Sequence, residues 1–111
     1  IPIEAIPSPG IGYAIVVEKV IGYIAYVAPV YATNVNLQLF YETAGDAIVE
    51  SSLLLVKTTT AYQELPFLYT IAAGTVQIVE NEAVSIRVET GDPTLGNSDI
   101  AIYITWSLIQ V

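Results

Sequence analysis

The chain contains no cysteine, histidine or methionine, and only three basic side chains, Lys19, Lys57 and Arg87. Without Cys there is neither a disulfide framework nor a thiol nucleophile, and without Cys and His there is no zinc cluster. A hydrolytic triad needs a base, usually His, to take the proton of its nucleophile, and that base is missing. The three cations lie far apart in sequence and face eleven acidic residues, for a net charge of -8. Nucleic acid and anionic membrane are therefore poor partners, because both need clustered Lys and Arg to displace counterions. Charged residues make up 13% of the chain, against about 25% in an average soluble domain. That is too few to coat a monomer, so part of the apolar surface is expected to be covered by protein partners. The expectation is a protein that is not an enzyme and carries no cofactor and no metal.

What the chain does contain is apolar and aromatic: 54% of its 111 residues are hydrophobic and eight are Tyr. Such a length fits one domain with one core, and such a composition excludes disorder. Val20 to Tyr41 holds no charge and is long enough to span a bilayer. Pro29, Thr33, Asn34, Asn36 and Gln38 lie inside it, however, and two strands with a turn fit better than a membrane helix. Glu4 and the three prolines up to Pro9 do not make a signal peptide. An opening Ile1 in place of methionine is expected to follow a longer, removed or unidentified N-terminal segment.

Pro2, Pro7, Pro9 and Gly10 make residues 1–10 an extended N-terminal arm, suited to gripping a neighbour through Ile1, Pro2 and Ile3. Residues 11–111 form the single β domain. Within it, Gly12 to Val27 is apolar on both faces, with Tyr13, Ile15, Val17, Ile21, Tyr23 and Val27 on one and Val16, Val20, Ile24 and Tyr26 on the other. Gly22 predicts a bulge or bend that splits this run. Asn34 to Glu42 alternates and predicts a half-exposed strand, and Val84 to Glu89 predicts a one-faced strand. Ala47 to Thr60 suits a short helix or irregular excursion, and Leu65 to Ile71 and Gly74 to Val79 suit short strands. Thr90 to Ser98, rich in Gly, Pro and Asn, predicts a hairpin loop. It leads into Asp99 to Val111, whose uncharged β-branched run predicts a central strand. Ile100, Ile102, Ile104, Trp106 and Leu108 line one face of that strand, with Trp106 expected in the core. Tyr103 and Ile109 lie on the other, expected to meet another subunit. Many short strands with little helix predict an all-β antiparallel sandwich or jelly roll.

Few residues offer chemistry. Glu80 and Glu82 are the nearest carboxylate pair of the kind a glycosidase uses, but two residues apart on an extended chain they read as a solvated turn. Glu89, Asp92, Asn97 and Asp99 place oxygen atoms around one loop, as a hard cation requires, without the EF-hand spacing; they read as a polar loop. Gly10-Ile11-Gly12 has Ile15 where the third glycine of a dinucleotide fingerprint belongs. The tyrosines are the better functional candidates, since a ring with one polar tip is favoured at protein interfaces. Tyr23, Tyr26, Tyr31 and Tyr103 are the candidates of this kind.

Two groups of turns carry a family resemblance. Pro9-Gly10-Ile11-Gly12-Tyr13, followed by Val30-Tyr31-Ala32-Thr33-Asn34 and Asn36-Leu37-Gln38-Leu39, resembles the opening of small virion proteins of tailed bacteriophages. Glu80-Asn81-Glu82-Ala83-Val84, Thr90-Gly91-Asp92 and Gly96-Asn97-Ser98 before the terminal strand are similar to their end. The resemblance implies a jelly roll, tumour-necrosis-factor-like and trimeric, located in the virion at the capsid surface. It implies a cement or decoration subunit whose partners are its own copies and the major capsid protein or another virion protein. A receptor-binding or carbohydrate-binding domain of a tail or fibre is the alternative. Ala47 to Thr75 carries no part of the resemblance.

Overall fold

The computed structural model describes residues 3–43, 45, 47–68, 78–89 and 91–111. Among them there is no helix, and seven strands form two antiparallel sheets. They are β1 (Ile3–Ile6), β2 (Tyr13–Ala25), β3 (Leu37–Tyr41), β4 (Ala47–Ser51), β5 (Ala61–Glu64), β6 (Val84–Val88) and β7 (Asp99–Gln110). One sheet has the order β1-β6-β3-β4 and the other β5-β2-β7. The two pack face to face as a β-sandwich around Ile15, Val20, Ile24, Leu39, Tyr41, Val49, Leu54 and Val84, all buried.

The longest pairing joins β2 to β7, from Tyr13 opposite Gln110 to Ala25 opposite Asp99. The register slips once, between Val17 and Lys19. One extra residue in a strand turns everything beyond it over. Glu18 is that residue, and it brings Ile15 and Val17 onto the same buried face as Val20, Gly22 and Ile24. The two faces predicted for this run are therefore exchanged halfway along it. The predicted bulge at Gly22 is corrected too: β2 runs unbroken through Gly22. Glycine is needed there because a Cβ would stand 2.5 Å from Cδ2 of Leu54.

The terminal strand is not central. β7 pairs with β2 along its length, and among the described residues its other edge meets no strand. An uncharged β-branched run has the same pattern at the edge of a sheet as at its centre, so periodicity gave no means of telling the two apart. Val84 to Val88 belongs to the opposite sheet from β7, so the connection between them crosses between sheets and the predicted hairpin loop is corrected. β3, by contrast, is internal and buried on both faces. Leu37, Leu39 and Tyr41 point into the core, while Gln38 and Phe40 on the outer face are covered by Arg87.

Ala47 to Thr60 divides into β4 and an irregular stretch. Beyond β5, Leu65 to Leu68 cross to the other sheet, where Phe67 bridges Val49 and the Leu68 amide donates to the Ile48 carbonyl at 3.1 Å. This crossing closes the β4 side of the sandwich. Expectations for residues 69–77 lie outside the described residues.

Tyr41 is the most deeply buried of the described tyrosines: its hydroxyl donates to the Ile15 carbonyl at 2.7 Å and ties the two sheets together. Burial raises its phenol above the ordinary value of 10.0. The unfolded chain therefore loses this proton at lower pH than the folded one, and stability falls as pH rises past about 10. Tyr41→Phe should cost about 1 kcal/mol at neutral pH and make the alkaline fall shallower. Urea unfolding of both proteins between about pH 8 and pH 11 checks it, and parallel curves would refute it.

Candidate interaction surface

The two outer faces of the sandwich differ in chemistry. On the four-stranded sheet, polar groups satisfy one another. Gln38 donates through Nε2 to Glu50 at 2.6 Å and Glu89 at 3.1 Å, and accepts from Arg87 Nε at 2.8 Å. The Arg87 guanidinium lies 3.9 Å above the Phe40 ring, and Ser85 donates to Glu42 at 2.8 Å. Hydrogen-bonded polar groups over a covered ring leave little apolar surface for a partner.

On the three-stranded sheet, the bulge at Glu18 sends Ile21 and Tyr23 outward, beside Tyr103 and Ala101 of β7 and Tyr62 of β5. The Tyr23 and Tyr62 rings are 4.6 Å apart between centroids and tilted by 42°. Tyr62 is 68% exposed and Tyr103 54%. Lys19 and Glu64 form an exposed pair at 3.6 Å on the same face, and such pairs contribute little. This is an aromatic face with polar tips, the composition of a protein-binding surface.

The side of the sandwich bounded by β1 and β7 is open. A groove of about 350 Å³ runs between the sheets there, lined by Ile3, Leu37, Ile86, Val88, Ile100 and Ile102. Trp106 lies on the core-facing side of β7 but at this margin, and it is 42% exposed rather than sealed in the core. Leu108 beside it is 51% exposed, and Ile3 on β1 is 68% exposed.

The predicted interface residues are thus divided. Tyr23 and Tyr103 come together on the aromatic face, and Ile109 lies on that face opposite Ala14. Ile3 borders the open side as part of an edge strand paired with β6 of its own chain. Ile1 and Pro2 lie outside the described residues. Tyr26 is half-buried, its amide donating to Thr60 Oγ1. Tyr31 is engaged internally: its hydroxyl donates to the Ser98 carbonyl and its ring lies where a side chain on Gly96 would be. Tyr62, Trp106 and Leu108 belong to the surface although the sequence did not single them out for it. Alternation in Ala61-Tyr62-Gln63-Glu64 was the signal for Tyr62, hidden beside the threonine run.

The turns are structural latches. At one end of the sandwich the Gly10 amide donates to Asn81 Oδ1, the Gly12 amide to Glu80 Oε2 and the Asn81 amide to the Tyr13 carbonyl, at 3.0, 2.8 and 2.8 Å. At the other, Asn34 Nδ2 donates to the Asp92 carbonyl at 2.9 Å, and Ala32 bridges Leu95. Glu80 is therefore occupied with a backbone amide, and among the described residues no group of three or more acidic side chains is placed to hold a metal ion.

Fold and site together define a two-sheet antiparallel β-sandwich with an aromatic outer face and an open apolar side among its described residues. No family model, curated protein sequence or solved structure matches the chain.

Proposed function

We propose that the chain is a structural virion protein, a capsid cement or decoration subunit of a tailed bacteriophage, with jelly-roll topology and assembly as a homotrimer. The observation that supports it best is the pair of unsatisfied surfaces, the aromatic face around Tyr23, Tyr62 and Tyr103 and the open side around Ile3, Trp106 and Leu108. A chain with 13% charged residues cannot keep both in water at low cost, whereas a protein lodged in a lattice buries them. The turns that resemble virion proteins are also the latches at the two ends of the sandwich, which supports a shared scaffold. Function then requires no chemistry. Apolar burial contributes roughly 25 cal/mol per Å², reduced by the cost of association and multiplied over many copies.

Mass spectrometry and imaging of particles produced from the source of this sequence test the reading. The chain should be present in stoichiometric amount with density on the capsid exterior, and its absence from purified particles would refute it. Exposed Tyr62 and Tyr103 also fit the second reading, a carbohydrate-binding domain of a tail or fibre that stacks sugar rings on aromatics. Glycan binding that is lost on Tyr62→Ala, with no chain on the capsid, would favour that reading instead.

A further inference from the structure

We propose that the free edge of β7 is a two-fold interface at which a second copy of this chain adds its own β7 antiparallel, joining two three-stranded sheets into one. This goes beyond the decoration reading and does not depend on it. The Val111 amide donates to the Gly12 carbonyl at 2.8 Å. Because alternate residues of an antiparallel ladder point their amides and carbonyls to opposite sides, the odd-numbered residues of β7 bond to β2. The even-numbered ones, Ile100 to Gln110, turn theirs to the free edge. Among the described residues no strand takes them up. The edge has none of the usual guards against pairing: β7 contains no Pro, no Lys and no charge after Asp99. Its own pairing to β2 places the single bulge in β2 and leaves β7 regular.

The occupant follows from the charge and the pattern of the strand. A parallel copy would set Asp99 beside Asp99, whereas an antiparallel copy sends the two to opposite ends. Centred on Thr105, the pairing opposes Ile104 to Trp106 and Ile102 to Leu108 on the core side. On the outer side it opposes Thr105 to Thr105, Tyr103 to Ser107 and Ala101 to Ile109. Apolar thus meets apolar except at the ends, where Ile100 faces Gln110, and hydroxyl-bearing side chains meet one another. About a dozen backbone hydrogen bonds would form, and the exposed Trp106, Leu108 and Ile3 would gain cover from the partner's open side. The 12 residues of β7 run roughly 40 Å, and a two-layer side is roughly 20 Å thick, so on the order of 800 Å² would be buried per copy, the extent of a stable interface. A chain of net charge -8 has reason to associate through β7, which carries no charge after Asp99, where self-repulsion is low.

The test is the mass of the full chain in solution, measured by sedimentation and light scattering. Wild type is expected to be a dimer or an even-numbered oligomer. Thr105 is exposed, so Thr105→Lys and Thr105→Glu should fold, as circular dichroism would confirm. Each sets like charges across the axis and should weaken pairing roughly 100-fold. Mixing the two variants should restore the wild-type mass. In a chain without cysteine, Thr105→Cys should give a single disulfide-linked dimer on a non-reducing gel. A wild-type monomer, or a mass unchanged by Thr105→Lys together with no disulfide dimer, overturns the interface. A trimer untouched by these substitutions overturns it while leaving three-fold assembly standing. A dimer that Thr105→Lys reduces to monomer upholds the interface and removes the trimer.

Discussion

Replacing Arg87 with methionine should lower stability by about 3 kcal/mol, the sum of a lost charge-assisted hydrogen bond and a lost cation–π contact. Arg87 covers the Phe40 ring, donates to Gln38 Oε1 and donates to the Gly45 carbonyl at 3.2 Å. Methionine keeps much of the side chain's apolar stem, so the loss reports on the guanidinium. Gln38 is 4% exposed, and its oxygen would be left buried without that donor. Its amide also holds Glu50 and Glu89, which would lose the cation nearest to them on an already acidic molecule. Thermal unfolding should shift down by roughly 10–15 °C. Arg87→Lys restores charge but not the planar fork and should recover less than half of the loss. A shift below about 3 °C for Arg87→Met would show that Gln38 finds another donor and that the network is not coupled as described.

Leu54→Ala should be of similar size, about 3 kcal/mol, because Leu54 is fully buried and its removal leaves a cavity against β2. Its neighbour makes the substitution diagnostic. Gly22→Ala alone places a methyl group against Cδ2 of Leu54 and should cost about 1–3 kcal/mol by overpacking. In the double variant the new methyl group occupies part of the space that Leu54 vacated. The loss in the double variant should therefore fall short of the sum of the two single losses by about 1 kcal/mol or more. Additive losses, measured by urea denaturation of all four proteins, would mean that Gly22 serves some purpose other than admitting Leu54.

The sequence made the all-β class, the alternation of β6 and the long apolar run of β2 legible, since all three rest on the period of side chains along a strand. It misplaced the bulge, because Gly22 looks like a break while Glu18 looks like an ordinary polar residue. Only pairing with β7 shows that Val17 and Val20 must face the same way. Alternation puts Gln38 on the open face of a half-exposed strand, because the partner that covers it, Arg87, is 49 positions away. Register with Ile102 and Ile104 puts Trp106 on the core face, which is correct, but not under cover. How far the opposite sheet extends over a face is decided by strands elsewhere in the chain. Of the candidate surface, the tyrosines were legible as a class, but which of them share a face was not. Tyr31 and Tyr103 look alike in sequence, yet one is locked beneath Gly96 and the other faces outward.

The pairing of β2 with β7 also constrains how the chain reaches this fold. The Ser107 hydroxyl donates to Glu18 across 89 positions of sequence, so one strand of the pair waits for another made much later. Until β7 emerges, β2 carries two apolar faces with most of one edge unfilled. Loop-closure entropy must be spent before any of that ladder forms, which makes folding slow. During that delay the nascent protein is at its most vulnerable to association with the wrong neighbour, and its demand on chaperones is set by β2 rather than by the finished surface.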